Sequence, residues 1–130
     1  VGNQNANNSI FAYGIRKPQG LSLHPETGDI WESEHGPQGG DEINILKAGY
    51  NYGWPVISYG INYNGTPFTD LTEKEGMEEP VHYWNPSIAL CGMDFISGDF
   101  YSKWKGDLIV SSLKFQYLHR LKMDGNNVMG

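Results

Sequence analysis

The sequence predicts an all-β fold, and three observations carry that expectation. Helical periodicity is nearly absent, and short runs of β-branched and aromatic residues alternate with clusters of Gly, Pro, Asn and Asp. The third is a weak internal repeat. "GLSLHPETGDIWES" (Gly20 to Ser33) and "GMDFISGDFYSKWKGDLIVSS" (Gly92 to Ser112) share a frame of Gly, apolar, polar, apolar, and then Gly-Asp ahead of a second apolar run.

Taken along the chain, strands are expected at Ile10 to Tyr13, Leu21 to His24, Asp29 to Glu34, Glu42 to Leu46, Val81 to Trp84, Met93 to Ile96, Asp107 to Ser111 and Tyr117 to Met123. Pro25-Glu26-Thr27-Gly28 reads as a turn and Asp124-Gly125 as a hairpin signal. The stretch from Tyr59 to Glu79 is polar and punctuated by Gly and Pro, which reads as an inserted loop with one helical turn near Glu73 to Gly76.

Recurrence of a strand-turn-strand unit is what the stacked blades of a propeller produce. A blade takes roughly 40–45 residues, so residues 1–130 hold about two blades of a partial β-propeller. Closure needs at least about four, and the chain reads as cut in mid-fold. On pattern alone a β-sandwich is the other architecture with this signature.

Composition narrows the function. The net charge of −6 argues against nucleic acid as a partner, because phosphate binding wants a basic stripe. No apolar run is long enough to span a membrane, and residues 1–9 are polar and Asn-rich, unlike a secretory leader. The chain lacks an initiator Met, as a mature or excised segment would. Cys91 stands alone between apolar neighbours and reads as a buried free thiol, with no disulfide framework. Dinucleotide, phosphate-loop, His-Glu-x-x-His and nucleophile-elbow patterns are all missing.

The segment "SEHGPQGGDEINILKAGYNYGWP" (Ser33 to Pro55) concentrates the chemistry. Asp41, Glu42 and Asn44 offer oxygens, and Gly36, Gly39 and Gly40 let backbone carbonyls turn inward, which suits a hard cation such as calcium. A tight turn with solvated acids fits the same residues. Glu34 and His35 are adjacent and point to opposite faces of a strand. Arg16 and Lys114 each sit at a strand-to-turn junction. An ordinary solvated charge is the default for either, but together with the loop they suit an anionic, metal-associated ligand. His24 and His119 read as surface or turn residues, and His82 as a core candidate.

Tyr13 to Pro55, "YGIRKPQGLSLHPETGDIWESEHGPQGGDEINILKAGYNYGWP", strongly resembles the glucose/sorbosone dehydrogenase family, the soluble quinoprotein sugar dehydrogenases that use pyrroloquinoline quinone (PQQ). The block "WKGDLIVSSLKFQYLHRLKMDG" (Trp104 to Gly125) resembles it too. The Glu-His-Gly-Pro form and "GINYNG" (Gly60 to Gly65) look closest to the bacterial aldose sugar dehydrogenase branch.

The resemblance implies a six-bladed propeller with PQQ across its mouth, oxidation of an aldose at C1 to the lactone, and a periplasmic or secreted location. It implies that Arg16 sits by the reactive quinone carbonyl, that Lys114 contacts the anionic cofactor, and that the carbonyls of Gly36 and Pro37 bind the calcium that bridges to PQQ. Glu42 matches a position tied to a second calcium. Lys17 stands at a cofactor-contact position where the family usually has Asn. The family's catalytic base is a histidine in an earlier blade, and none of His24, His35, His82 and His119 lies in a matching motif. The isolated chain is therefore expected to be inactive, and to self-associate through open blade edges. A calcium-stabilised propeller used as a binding module is the alternative function.

Overall fold

The computed structural model describes residues 9–130. Nine strands follow in order. They are β1 (Pro18–Leu23), β2 (Ile30–Glu34), β3 (Asp41–Leu46), β4 (His82–Trp84), β5 (Leu90–Phe95), β6 (Leu108–Ser112), β7 (Tyr117–Leu121), β8 (Met123–Asp124) and β9 (Asn127–Val128). They build a four-stranded antiparallel sheet β1-β2-β3-β4, a three-stranded antiparallel sheet β5-β6-β7 and the two-stranded ribbon β8-β9. One 3-10 turn at Ser102–Trp104 is the only helical element among the described residues. No helix among them is long and apolar enough to cross a membrane.

Alternation explains which face each sheet buries. On β2 and β3, Trp31 opposes Ile45 and Ser33 opposes Ile43 on one face, while Glu32 opposes Asn44 and Glu34 opposes Glu42 on the other. The first face meets β5 and β6, so that Trp31, Ile43 and Trp84 share one core with Leu90, Met93, Phe95, Leu108, Val110 and Leu121. Trp31 and Phe95 meet edge to face at 5.3 Å, a favoured aromatic arrangement.

β1 and β5 lie side by side and run the same way. Gly20 abuts the backbone of Cys91 and Met93, Ser22 Oγ donates to Asp94 Oδ1 (2.8 Å), and His24 packs on Phe95. The two halves of the internal repeat are thus the hairpins β1-β2 and β5-β6, each with a register irregularity near its start, Pro18/Gly20 in one and Leu90/Met93 in the other.

Four expectations need correction. Ile10 to Tyr13 forms no strand but a single parallel bridge from Tyr13 to Asn51. Gly14 ends it, because its φ of +74° and the Asn51 side chain against it divert the chain. Glu73 to Gly76 is not helical. Met77 N–H donates to Lys74 O (3.0 Å) across a β-turn, with Gly76 at φ +82°. His24 is buried rather than at the surface, its Nδ1 accepting from Glu26 and Thr27 N–H at 3.2 Å. Cys91, a free thiol, is half-buried. The hairpin at Asp124-Gly125 forms, with Gly125 at φ +56° between β8 and β9.

Candidate functional site

The 47–81 connection between β3 and β4 covers the polar face of β2 and β3. Tyr52 pins its start. Its hydroxyl donates to Ile45 O (2.5 Å) and accepts from Lys47 N–H (2.9 Å). Asn51 Oδ1 accepts from Gly53 N–H, and Trp54 meets Phe68 edge to face at 5.1 Å, so Tyr50 to Pro55 braces the loop as its aromatic content predicts. At the far end Gln38 and Ile61 form a bridge, which ties the connection to the β2-β3 turn.

Beneath this cover lie carboxyl groups that water barely reaches. Glu34 is buried at the end of β2, and its Oε2 accepts from the backbone N–H of Arg16 and of Lys17 (3.2 Å). Burial raises the Glu34 carboxyl above the usual range, against the lowering effect of those donors. Glu42, directly across from it, is pushed up to about 8 by burial and by Glu34's charge. Two adjacent carboxyls in a dry setting hold fewer than two negative charges unless a cation joins them.

Glu32 is 1% exposed and is pushed up to about 8 by burial, with Glu34's charge adding to it. Asn44 Nδ2 donates to Glu32 Oε2 (3.2 Å), leaving Glu32 Oε1 and Asn44 Oδ1 without partners. A protonated Glu32 carries a hydroxyl donor of the kind that the unpartnered amide oxygen lacks.

At the mouth, Arg16 precedes β1 and reaches across the β2-β3 turn. Its Nη1 donates to His35 O (3.0 Å) and Gly36 O (2.9 Å), and its guanidinium lies 5.1 Å from the centre of the Trp54 ring, within cation–π range. Two successive carbonyls therefore converge on one cationic group. Gly36 admits no side chain, because a Cβ there would fall 2.1 Å from Gly39 O. Arg16, Glu34, Gly36, Glu42, Tyr52 and Ser58 enclose a cavity of about 10 Å³. That is room for about one water molecule or a bare ion, and none for an organic cofactor.

Of the residues singled out in the sequence, Arg16, Gly36 and Glu42 share this cavity, and Pro37 follows in the same buried turn. Lys17 contributes its backbone to Glu34 and its side chain is exposed. Lys114 lies in the β6-β7 connection and outside the cavity. Its Nζ donates to Ser87 O (3.3 Å) and its N–H to Ile88 O (3.4 Å). Because β5 runs alongside β1, Lys114 and Arg16 are at the same end of the paired sheets.

Asp41 is not a free oxygen donor. Asn44 engages Glu32 through its Nδ2, and Asp41, fully buried, accepts from Gly36 N–H (3.1 Å), Ser87 Oγ (2.8 Å), Ile88 N–H (3.0 Å) and Leu90 N–H (3.4 Å). Sequence reasoning missed the structural parts of Asp41 and Glu34, because nothing local marks an acid whose donors come from remote segments.

The family model described as Glucose / Sorbosone dehydrogenase matches residues 1–130, the whole chain. The chain belongs to the glucose/sorbosone dehydrogenase family. Its relatives in the family include Aldose sugar dehydrogenase YliI of Escherichia coli (strain K12), 41% identical over 121 residues, 92% of this chain and 33% of that protein. Quinoprotein glucose dehydrogenase B of Acinetobacter calcoaceticus is 47% identical over 49 residues, 38% of this chain and 10% of that protein.

Among solved structures, a glucose dehydrogenase crystal structure superposes with a TM-score of 0.93 at 44% identity, covering 100% of this chain and 38% of the other. The PQQ-bound aldose sugar dehydrogenase from Streptomyces coelicolor superposes with a TM-score of 0.69 at 25% identity, covering 99% and 33%. This family member thus spans about a third of the length of the relatives that it matches most fully.

Proposed function

We propose that the chain supplies the cofactor-holding wall of a PQQ- and calcium-dependent dehydrogenase that oxidises an aldose at C1 to the lactone. In this reading its two sheets are neighbouring blades of a six-bladed β-propeller in a periplasmic or secreted enzyme. One observation carries the proposal. The family's arginine, Arg16, is planted on the His35 and Gly36 carbonyls at the open end of the sheets, beside Trp54. Family membership and the PQQ-bound relative support it. The propeller reading draws on the outward-facing Leu21 and Leu23 of β1, which give the first sheet apolar surface on the side away from its core.

The oxygens here fit calcium, and PQQ would lie outside the small cavity, at its open mouth. Convergent carbonyls and the Glu34–Glu42 pair are oxygen ligands of the kind calcium takes. Gly36 and Pro37 would hold the calcium at PQQ, and Glu42, at the small cavity, a second one. PQQ, when bound, supplies a quinone that accepts the hydride from C1, with calcium polarising its carbonyls.

Arg16 presents fixed N–H donors where negative charge develops, and the Glu34 carboxyl that holds its backbone keeps that donor from swinging away. Lys114 would pair with the cofactor's negative charge. Lys17 offers a second, mobile cation beside Arg16. The base that takes the sugar's hydroxyl proton is expected from the remainder of the enzyme. On that ground the isolated chain should show no turnover with glucose, PQQ and calcium in a dye-reduction assay, and measurable turnover would contradict it.

The deciding experiment is a PQQ titration followed by tryptophan quenching, with calcium present and then chelated. We expect saturable, calcium-dependent binding, weakened about tenfold or more by Arg16→Ala or Lys114→Ala. If the full-length protein binds no PQQ either, the propeller is a binding module instead.

A further inference from the structure

We propose that Asp41 is a positioning residue that holds the Gly36–Pro37 turn and Lys114 in register, so that the two sheets present one site rather than two. The inference rests on the cofactor reading given above and deepens it.

The two groups assigned to the cofactor belong to different sheets. The Gly36–Pro37 turn joins β2 to β3, and Lys114 lies between β6 and β7. Nothing in either sheet's own ladder fixes one against the other. A core of aliphatic and aromatic side chains resists separation, but contact of that kind is non-directional. Directional bonds are needed to set a distance, and at this end of the molecule Asp41 gathers them.

One carboxylate oxygen takes the Gly36 N–H, within the turn itself. The other takes Ser87 Oγ, Ile88 N–H and Leu90 N–H, along the segment that leads into β5. That segment in turn carries the Lys114 turn. Ser112 Oγ donates to Ile88 O (2.6 Å), Leu113 N–H to Ala89 O (2.9 Å), and Lys114 reaches Ile88 O through its backbone and Ser87 O through its side chain. His35 Nε2 also contacts Leu90 O, and Arg16 closes the circuit on the His35 and Gly36 carbonyls.

A carboxylate is the group that can do this. It presents two acceptor oxygens and no donor, so it matches four converging donors, and its charge strengthens each bond. An amide turned into the same place would set its NH₂ against one group of donors. Asp41 is fully buried, so water cannot substitute for any bond that is lost.

The test uses the full-length protein with Ser87→Ala, which removes the bond to Asp41 and the local one that Ser87 Oγ accepts from Ala89 N–H, so that the response of the 35–37 turn is the telling one, and Ser87→Thr, which restores the hydroxyl. Amide hydrogen exchange and PQQ affinity in calcium are both read. Positioning through Asp41 predicts that Ser87→Ala speeds exchange at the 35–37 turn as well as at residues 112–115. It also predicts that PQQ binding weakens about tenfold and that Ser87→Thr recovers it.

With Lys114→Ala already present, Ser87→Ala should cost little more, because its effect runs through that residue. Exchange confined to residues 87–90, or full additivity of the two substitutions, would overturn the inference. Asp41→Asn is a harsher companion, and if it fails to fold the Ser87 pair still decides. A wild-type protein that takes up no PQQ would sink the cofactor reading alone, since the exchange measurement judges the coupling of the two turns without any ligand.

Discussion

Glu32 gives a test of the site's electrostatics that needs no cofactor. Its carboxyl has an ordinary value of 4.5 and stands at about 8 in the folded protein, chiefly through burial. Between those two values the unfolded chain has released a proton that the folded protein keeps. Stability must therefore fall as pH rises from about 4.5 to about 8, by up to about 1.4 kcal/mol per pH unit, and level off above. Glu34 and Glu42 are shifted the same way and add to the slope. Glu32→Gln keeps an acceptor for Asn44 Nδ2 and removes its own share. We expect melting temperatures measured from pH 5 to pH 9 to fall less steeply for Glu32→Gln than for wild type. Parallel profiles would mean that Glu32 is ionised in the folded state. At the same scale lies what the sequence hides. Asp41, Glu32 and Glu34 look like any surface acids until Ser87 to Leu90 and Tyr52 to Ser58 close over them, and those segments are far off in the chain.

At the scale of elements, strands were legible wherever one face is buried. β6 alternates cleanly because its inward residues meet a core, whereas β2 is buried along both faces, and the repeat unit in the sequence is the hairpin in the structure. Ile10 to Tyr13 has the composition of a strand and forms none, because a strand also needs a partner in register and Gly14 removes it. Tyr59 to Glu79 is readable as a loop, but the longer 47–81 connection is not readable as a lid over the glutamates, since its anchors are single side chains. Tyr52 is the strongest of these. Tyr52→Phe leaves the partly buried Ile45 carbonyl and Lys47 N–H short of a partner, and should cost about 1 kcal/mol. Chemical denaturation would measure this, and an unchanged midpoint would show that the loop is held elsewhere. Of the site itself, the association of Arg16 with the Gly-Pro turn came from resemblance to a family, because spacing alone does not bring an arginine back across twenty residues.

For the molecule as a whole, the surfaces away from the shared core matter most. Leu21 and Leu23 on β1 and Leu118 on β7 are each more than 60% exposed, and both lie on edge strands. Edges with apolar side chains and unpaired backbone groups attract copies of themselves. We expect this chain to associate with rising concentration in sedimentation velocity, and Leu21→Lys with Leu118→Lys to reverse it. A clean monomer at high concentration would count against this.

The single core shared by the two sheets also bears on how the chain is made. Trp31 and Ile43 find their cover in Leu90, Phe95 and Leu108, which leave the ribosome much later. At ordinary elongation rates that delay is on the order of several seconds. Throughout it the nascent first sheet carries an open apolar face, a client for whatever chaperone waits at the exit tunnel.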